Sequence, residues 1–175
     1  CSGHQRVLHS GERRPRQMCI RAMPLCSLRA EPVSVINPSF EAGEQAPEGW
    51  TPRGGTRWAR GDAPEGARYV SVTGADGGQW SSSPVAFEPG ATYELRARYR
   101  YRPEGTAGGA CAVVGPEFAI RVLPLAAIDG APWQELRMRF AAPRTAEVAE
   151  RALTLGQWQL QGAIDYDALE LHRVK

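Results

Sequence analysis

Residues 89–104, PGATYELRARYRYRPE, constrain the fold of this chain more than any other stretch. Pro89-Gly90 makes a turn, and the residues after it alternate without a slip. Tyr93, Leu95, Ala97, Tyr99 and Tyr101 share one side; Glu94, Arg96, Arg98, Arg100 and Arg102 share the other. Successive side chains of a strand point to opposite faces, so this period of two predicts a long strand with one apolar face. A strand of that kind needs hydrogen-bonded neighbours and a second layer over its apolar side.

The flanking sequence supplies both. WQELRMRF puts Leu136, Met138 and Phe140 on one side and Glu135, Arg137 and Arg139 on the other. GARYVSVTG reads as a strand bounded by glycines, and GQWSSSPVAF as another with an irregularity at Pro84. TRWARG is a short extended piece, EGTAGGA a flexible connector, and residues 117–124 a further strand. TAEVAERALTLG can begin as a helical turn but ends as a strand. In the last segment, QGAIDYDALELHRV, Ile164, Tyr166, Leu169 and Leu171 face inward, with a register shift near Asp167. No helical period of useful length is present. The 19 glycines and 14 prolines among 175 residues punctuate short strands. The expected fold is all-β, a jelly-roll β-sandwich of about eight to ten strands.

Residues 1–32 have a different texture. Arginines cluster there without a sustained period, and no apolar stretch suits a signal peptide. The expectation is a disordered tail or linker over 1–32 and a single domain over 33–175. The chain opens on Cys1 rather than methionine, as expected of a processed or trimmed piece of a longer protein. No segment has the length and apolarity of a transmembrane helix. A net charge of +2 gives no electrostatic case for nucleic acid.

Catalytic chemistry finds little support. His4 and His9 lie in the tail and His172 near the terminus, so none sits in the sandwich to activate a serine or Cys111. The four cysteines, Cys1, Cys19, Cys26 and Cys111, fit no zinc spacing. Two features suit ligand binding instead. Arginines on one face of each of two strands form a basic patch if the strands are neighbours. Guanidinium matches the geometry of carboxylate and sulfate, so Arg98 and Arg100 are candidate contacts to an acidic glycan. The plainer reading is a solvated face balanced by cross-strand acids. The second feature is aromatic. A pyranose lays its apolar face on an exposed indole while nearby polar groups bond its hydroxyls. Trp58, Trp80 and Trp158 are the candidates, Trp158 being flanked by Gln157 and Gln159. Trp80 is opposite in parity to Val85 and Phe87 if no bulge intervenes, although any single tryptophan also suits a core.

The segments NPSFEAG…EGW, FEPGATYELRARYR, WQELRMRF and GAIDYDALEL, in that order, resemble the carbohydrate-binding modules of families four and nine. These are galactose-binding-like jelly rolls, and the resemblance covers about Val33 to Val174. It implies a non-catalytic module that binds polysaccharide or oligosaccharide. It also implies attachment to a bacterial glycoside hydrolase or surface protein, secreted or at the cell surface. A structural or adhesion sandwich without a sugar ligand is the alternative. The resemblance further implies a structural Ca²⁺ that ties the chain ends, with Glu41 and Asp167 as ligands and Phe40 in the core. Two adjacent acids often occur in the last strand of such modules; here the second position is Ala168, with Asp165 two residues before Asp167.

Overall fold

The structure, a computed structural model, describes residues 30–73, 77–104, 110–145, 150–158 and 161–175. The expected tail up to residue 29, the connector at 105–109, the possible helical turn at 146–149 and Gln159 lie outside the described residues. The first strand begins at Ala30, so the expected boundary at Val33 falls at its end.

Thirteen strands are described. They are β1 (Ala30–Val33), β2 (Trp50–Arg53), β3 (Thr56–Arg60), β4 (Arg68–Thr73), β5 (Gln79–Ser82), β6 (Val85–Ala86) and β7 (Thr92–Pro103). They continue with β8 (Ala110–Pro116), β9 (Arg121–Leu125), β10 (Gln134–Ala141), β11 (Glu150–Arg151), β12 (Leu153–Trp158) and β13 (Gly162–Val174). One sheet has six strands in the order β10-β7-β13-β4-β3, with β1 on β13 beyond the end of β4. A second has five, in the order β2-β5-β12-β8-β9, and β6 and β11 form a small pair. Every pairing is antiparallel.

The two sheets enclose one apolar core. The alternation in β7 is realised as expected: Tyr93, Leu95, Ala97 and Tyr101 are buried in it, and Tyr99 packs at its margin. Leu136, Met138 and Phe140 of β10 lie beside them, because β10 and β7 pair as Leu136↔Ala97, Met138↔Leu95 and Phe140↔Tyr93. From the five-stranded sheet come Ala112, Val114, Leu153 and Leu155. Burial of this apolar area is the main stabilising term, at about 25 cal/mol per Å² removed from water.

Two segments differ from their sequence reading. Residues 117–119 form a 3₁₀ turn and the strand starts only at Arg121. Gly115 at φ +118° and Pro116 redirect the chain there, which brings Phe118 edge-on to Phe87 at 5.3 Å and to Phe140 at 5.9 Å. The run ACAVVGP, unassigned in the sequence reading, is β8, an interior strand of the five-stranded sheet between β12 and β9.

The turn at 37–43 joins the two ends of the chain. Asn37 Oδ1 accepts from Ala42 N at 3.1 Å, and its Nδ2 donates to Ala42 O at 2.9 Å. Phe40 adopts φ +58°, a conformation uncommon for a bulky residue, and is held there by a bond from its N to Asn37 O. That twist sends Phe40 into the core, 5.1 Å from the Trp50 ring, and Glu41 outward. Leu169 N donates to Pro38 O at 3.0 Å, at the bulge in β13 where Ala168 has φ +48°. First and last strands are thus tied by a β-ladder and by this turn.

Candidate functional site

The outer face of the six-stranded sheet carries the arginine ladder. Arg137 pairs opposite Arg96, and Arg139 opposite Glu94, so the two basic runs are neighbours. They do not make a free positive surface. Glu94 is buried, accepts from Arg96 Nε at 2.7 Å and Arg139 Nε at 2.6 Å, and lies 3.9 Å from Arg137. Those hydrogen bonds, Arg139 first and Arg96 second, hold the Glu94 carboxyl below its ordinary range. Asp165, fully buried, accepts from Arg100 Nε at 3.0 Å and from Arg102 Nε and Nη2 at 2.9 and 2.8 Å. Asp165, which the sequence left open as a substitute metal ligand or a solvent-facing acid, serves as a counter-ion.

Arg100 is accordingly a structural residue rather than a ligand contact. Its guanidinium lies 4.5 Å from the Trp133 ring centre and 5.2 Å from that of Tyr69, with Asp62 at 3.5 Å. Arg98 is different. It is exposed, makes no ion pair within 4 Å among the described residues, and lines a depression of about 430 Å³ with Trp133, Asp62, Pro64 and Glu170. Trp133 opens the run WQELRMRF, and its parity with Glu135, Arg137 and Arg139 places it on the arginine face.

The tryptophans part company. Trp80 is 2% exposed, and its Nε1 donates to Ser71 O at 3.1 Å, bridging the two sheets. The expected sugar-stacking role of Trp80 is therefore corrected: it is a core residue. The break at Ser83-Pro84 between β5 and β6 resets the parity on which the expectation rested, and Val85 is buried as well. Trp58 is half-buried against the core, donates to Phe40 O at 2.9 Å, and has the Arg68 guanidinium 3.9 Å above its ring. Arg68 thus covers one face of the Trp58 ring, and the indole N–H is already taken by the backbone.

Trp158 is 57% exposed at the end of β12. Leu153 and Leu155 of the same strand are in the core, so Thr154, Gly156 and Trp158 share the outer face of the five-stranded sheet. Pairing places Gln79 and then Arg53 beside Gly156 on one side, and Val113 and then Val122 on the other. Ser81 lies beside Thr154, and Cys111 and Pro124 beside Trp158. A Cβ on Gly156 would stand 3.1 Å from Gln79 Cβ and 3.2 Å from Gly78 O, so glycine here lets β5 and β12 pack closely beside the indole. Among the described residues, the outward positions of these five strands carry one charge, Arg53, and no carboxylate. Trp158 and Arg98, expected in one site, lie on opposite faces of the sandwich.

Glu41 Oε1 accepts from Ala67 N at 2.8 Å and Arg68 N at 2.6 Å. Gly66, at φ +73°, makes room: a Cβ there would fall 2.5 Å from Glu41 Cδ. Asp167 Oδ2 accepts from Glu65 N at 2.9 Å, while its buried Oδ1 has no partner. Burial foremost, and the negative charges of Glu65 and Glu41, push the Asp167 carboxyl up to about 6. A buried carboxylate oxygen without a donor, under the field of two further acids, fits a hard cation. Among the described residues no three His, Cys, Asp or Glu side chains gather as a metal-holding group. A cation here would take two carboxylates and main-chain carbonyls.

No family model and no curated protein sequence matches the chain. Solved structures do match. A cyclase from Fischerella sp. TAU aligns with 83% of this chain and 98% of its own at 15% identity and TM-score 0.61. The CBM22-1 xylan-binding domain of Paenibacillus barcinonensis Xyn10C aligns with 84% and 99% at 18% identity and TM-score 0.53. TmCBM61, solved with β-1,4-galactotriose, aligns with 81% and 98% at 16% identity and TM-score 0.56. The fold is the galactose-binding-like jelly roll. At these identities the likeness concerns the fold, which serves a cyclase as well as carbohydrate-binding modules.

Proposed function

We propose that this chain is a non-catalytic carbohydrate-binding module that holds a polysaccharide on the outer face of its five-stranded sheet. The observation that carries the reading is Trp158, a large indole left 57% exposed at the end of a strand whose other described positions are buried. Its ring offers a flat apolar platform to the axial C–H face of a pyranose. On the same outward parity, Gln79, Ser81 and Arg53 supply donors and acceptors for hydroxyls. Among the described residues, the outward positions of those five strands hold no carboxylate and one arginine, so neutral glycans are the preferred class. His172 contacts Glu170 rather than a serine or Cys111, which favours binding over catalysis.

The module is secreted or at the cell surface and is carried by a glycoside hydrolase or surface protein. Its neighbours in fold include a CBM22 module joined to a xylanase catalytic module. Glu41 and Asp167 hold a structural Ca²⁺ beside the turn that joins the chain ends; the ion neutralises carboxylates that otherwise repel one another. A glycan array with and without a chelator, at moderate and high salt, tests the reading. Salt-resistant binding to neutral glycans is expected. A folded protein that binds no glycan under any of these conditions removes it and favours a structural or adhesion module.

A further inference from the structure

We infer that the depression beside Trp133, on the outer face of the six-stranded sheet, is a second and independent site for a neutral saccharide. It is lined by Trp133, Arg98, Asp62, Pro64 and Glu170, and its volume of about 430 Å³ lies within the usual range for small-ligand sites. Four observations converge on it. Trp133 is fixed before any ligand arrives: one ring face lies on Arg100 at 4.5 Å, Tyr69 meets it edge-on at 5.8 Å, and its Nε1 donates to Asp62 O at 3.2 Å. Arg100 is itself anchored by the buried Asp165. A platform held this firmly loses little freedom on binding. Arg98 is the one guanidinium of β7 without a carboxylate partner within 4 Å among the described residues.

The charges choose the ligand class. Three carboxylates, Asp62, Glu65 and Glu170, line it beside Arg98 and would repel an anion, while Arg100 at 3.5 Å from Asp62 and Arg96 at 3.9 Å from Glu170 already offset two of them against a cation. A neutral polyol suits all of them, because its hydroxyls both donate to carboxylates and accept from a guanidinium. Trp133, half-buried, gives the depression an apolar wall for the C–H side of the sugar. This site and the Trp158 face point away from each other across the sandwich, so one molecule grips two glycan chains. Cross-linking of polysaccharide follows without any oligomer.

The test is calorimetric titration of the intact chain with xylohexaose and with β-1,4-galactotriose. Wild type, Trp158→Ala, Arg98→Ala and the double variant are compared, each checked by circular dichroism. Arg98 is exposed and unpaired, so its truncation leaves folding untouched. Two ligands per protein are expected for the wild type. One should remain in Trp158→Ala, and adding Arg98→Ala should weaken that one at least about tenfold. A single ligand that Trp158→Ala abolishes overturns the second site and leaves the first standing. A single ligand lost with Arg98→Ala but kept in Trp158→Ala supports the second site and overturns the first. Residual binding in Trp158→Ala that ignores Arg98→Ala overturns this assignment, and no binding of either sugar to folded wild type overturns both.

Discussion

Replacing Trp80 by alanine should damage folding, and replacing Trp158 by alanine should not. Trp80 is 2% exposed between the two sheets, so its removal deletes the largest side chain of β5 from a closed core. Aromatic-to-alanine changes in such sites cost roughly 3–5 kcal/mol, from lost transfer energy and the cavity left behind. The bond from Nε1 to Ser71 O goes as well, and a net hydrogen bond contributes about 1 kcal/mol. The terms overlap, and about 4 kcal/mol is a fair total. For a domain of this size, each kcal/mol lowers Tm by about 2–4 °C, so the melt should fall by about 8–16 °C. Trp158, 57% exposed, should change stability by under about 0.5 kcal/mol. Urea titrations followed by far-ultraviolet circular dichroism measure both. A loss below about 1 kcal/mol for Trp80→Ala would refute the core placement. So would a Trp158→Ala loss of similar size to that of Trp80→Ala.

Other outcomes follow from the charged faces. Asp165→Asn removes the shared counter-charge of Arg100 and Arg102 and should cost about 2–3 kcal/mol by chemical denaturation, below the fully buried range because Arg100 keeps Asp62 at 3.5 Å and Arg102 reaches solvent. Arg98→Ala should stay within about 0.5 kcal/mol of wild type. Asp167 has a folded-state pKa of about 6, raised from 3.8, so in chelator the folded state gains stability from its proton. That gain is fully present below about pH 4 and is lost as pH rises through 6, because there the native state binds more protons than the unfolded chain. Asp167→Asn should therefore be more stable than wild type at pH 7.5 by about 1–3 kcal/mol and equal to it at pH 4. Calcium at neutral pH should raise the wild-type melting temperature and leave that of Asp167→Asn unmoved; equal shifts in both would remove the cation from this site.

Local patterns were readable where one physical rule dominated. The period of two in β7 and β10 had no competing interpretation, and their shared face followed once they paired. The register shift near Asp167 was visible as a change of parity, although the positive φ of Ala168 behind it was not. β8 was hidden because ACAVVGP is small and continuously apolar, as a central strand can be. Trp80 was misread because Ser83-Pro84 silently reset the parity. For the arginine ladder, a face balanced by cross-strand acids was the plainer reading, but the particular counter-ions were not legible: Asp165 lies 65 positions from Arg100, and Glu94 lies 45 from Arg139. Which acid meets which arginine is a property of register, and residue types alone do not reveal it.

Affinity electrophoresis of wild type and Trp158→Ala through gels containing neutral polysaccharide, xylan and galactan among them, bears most directly on the proposed activity. The protein should be retarded at both low and high salt. Trp158→Ala, with an unchanged melting temperature, should lose most of the retardation, and any remainder should vanish when Arg98→Ala is added. Retardation that Trp158→Ala leaves intact would contradict the account, as would retardation that salt abolishes.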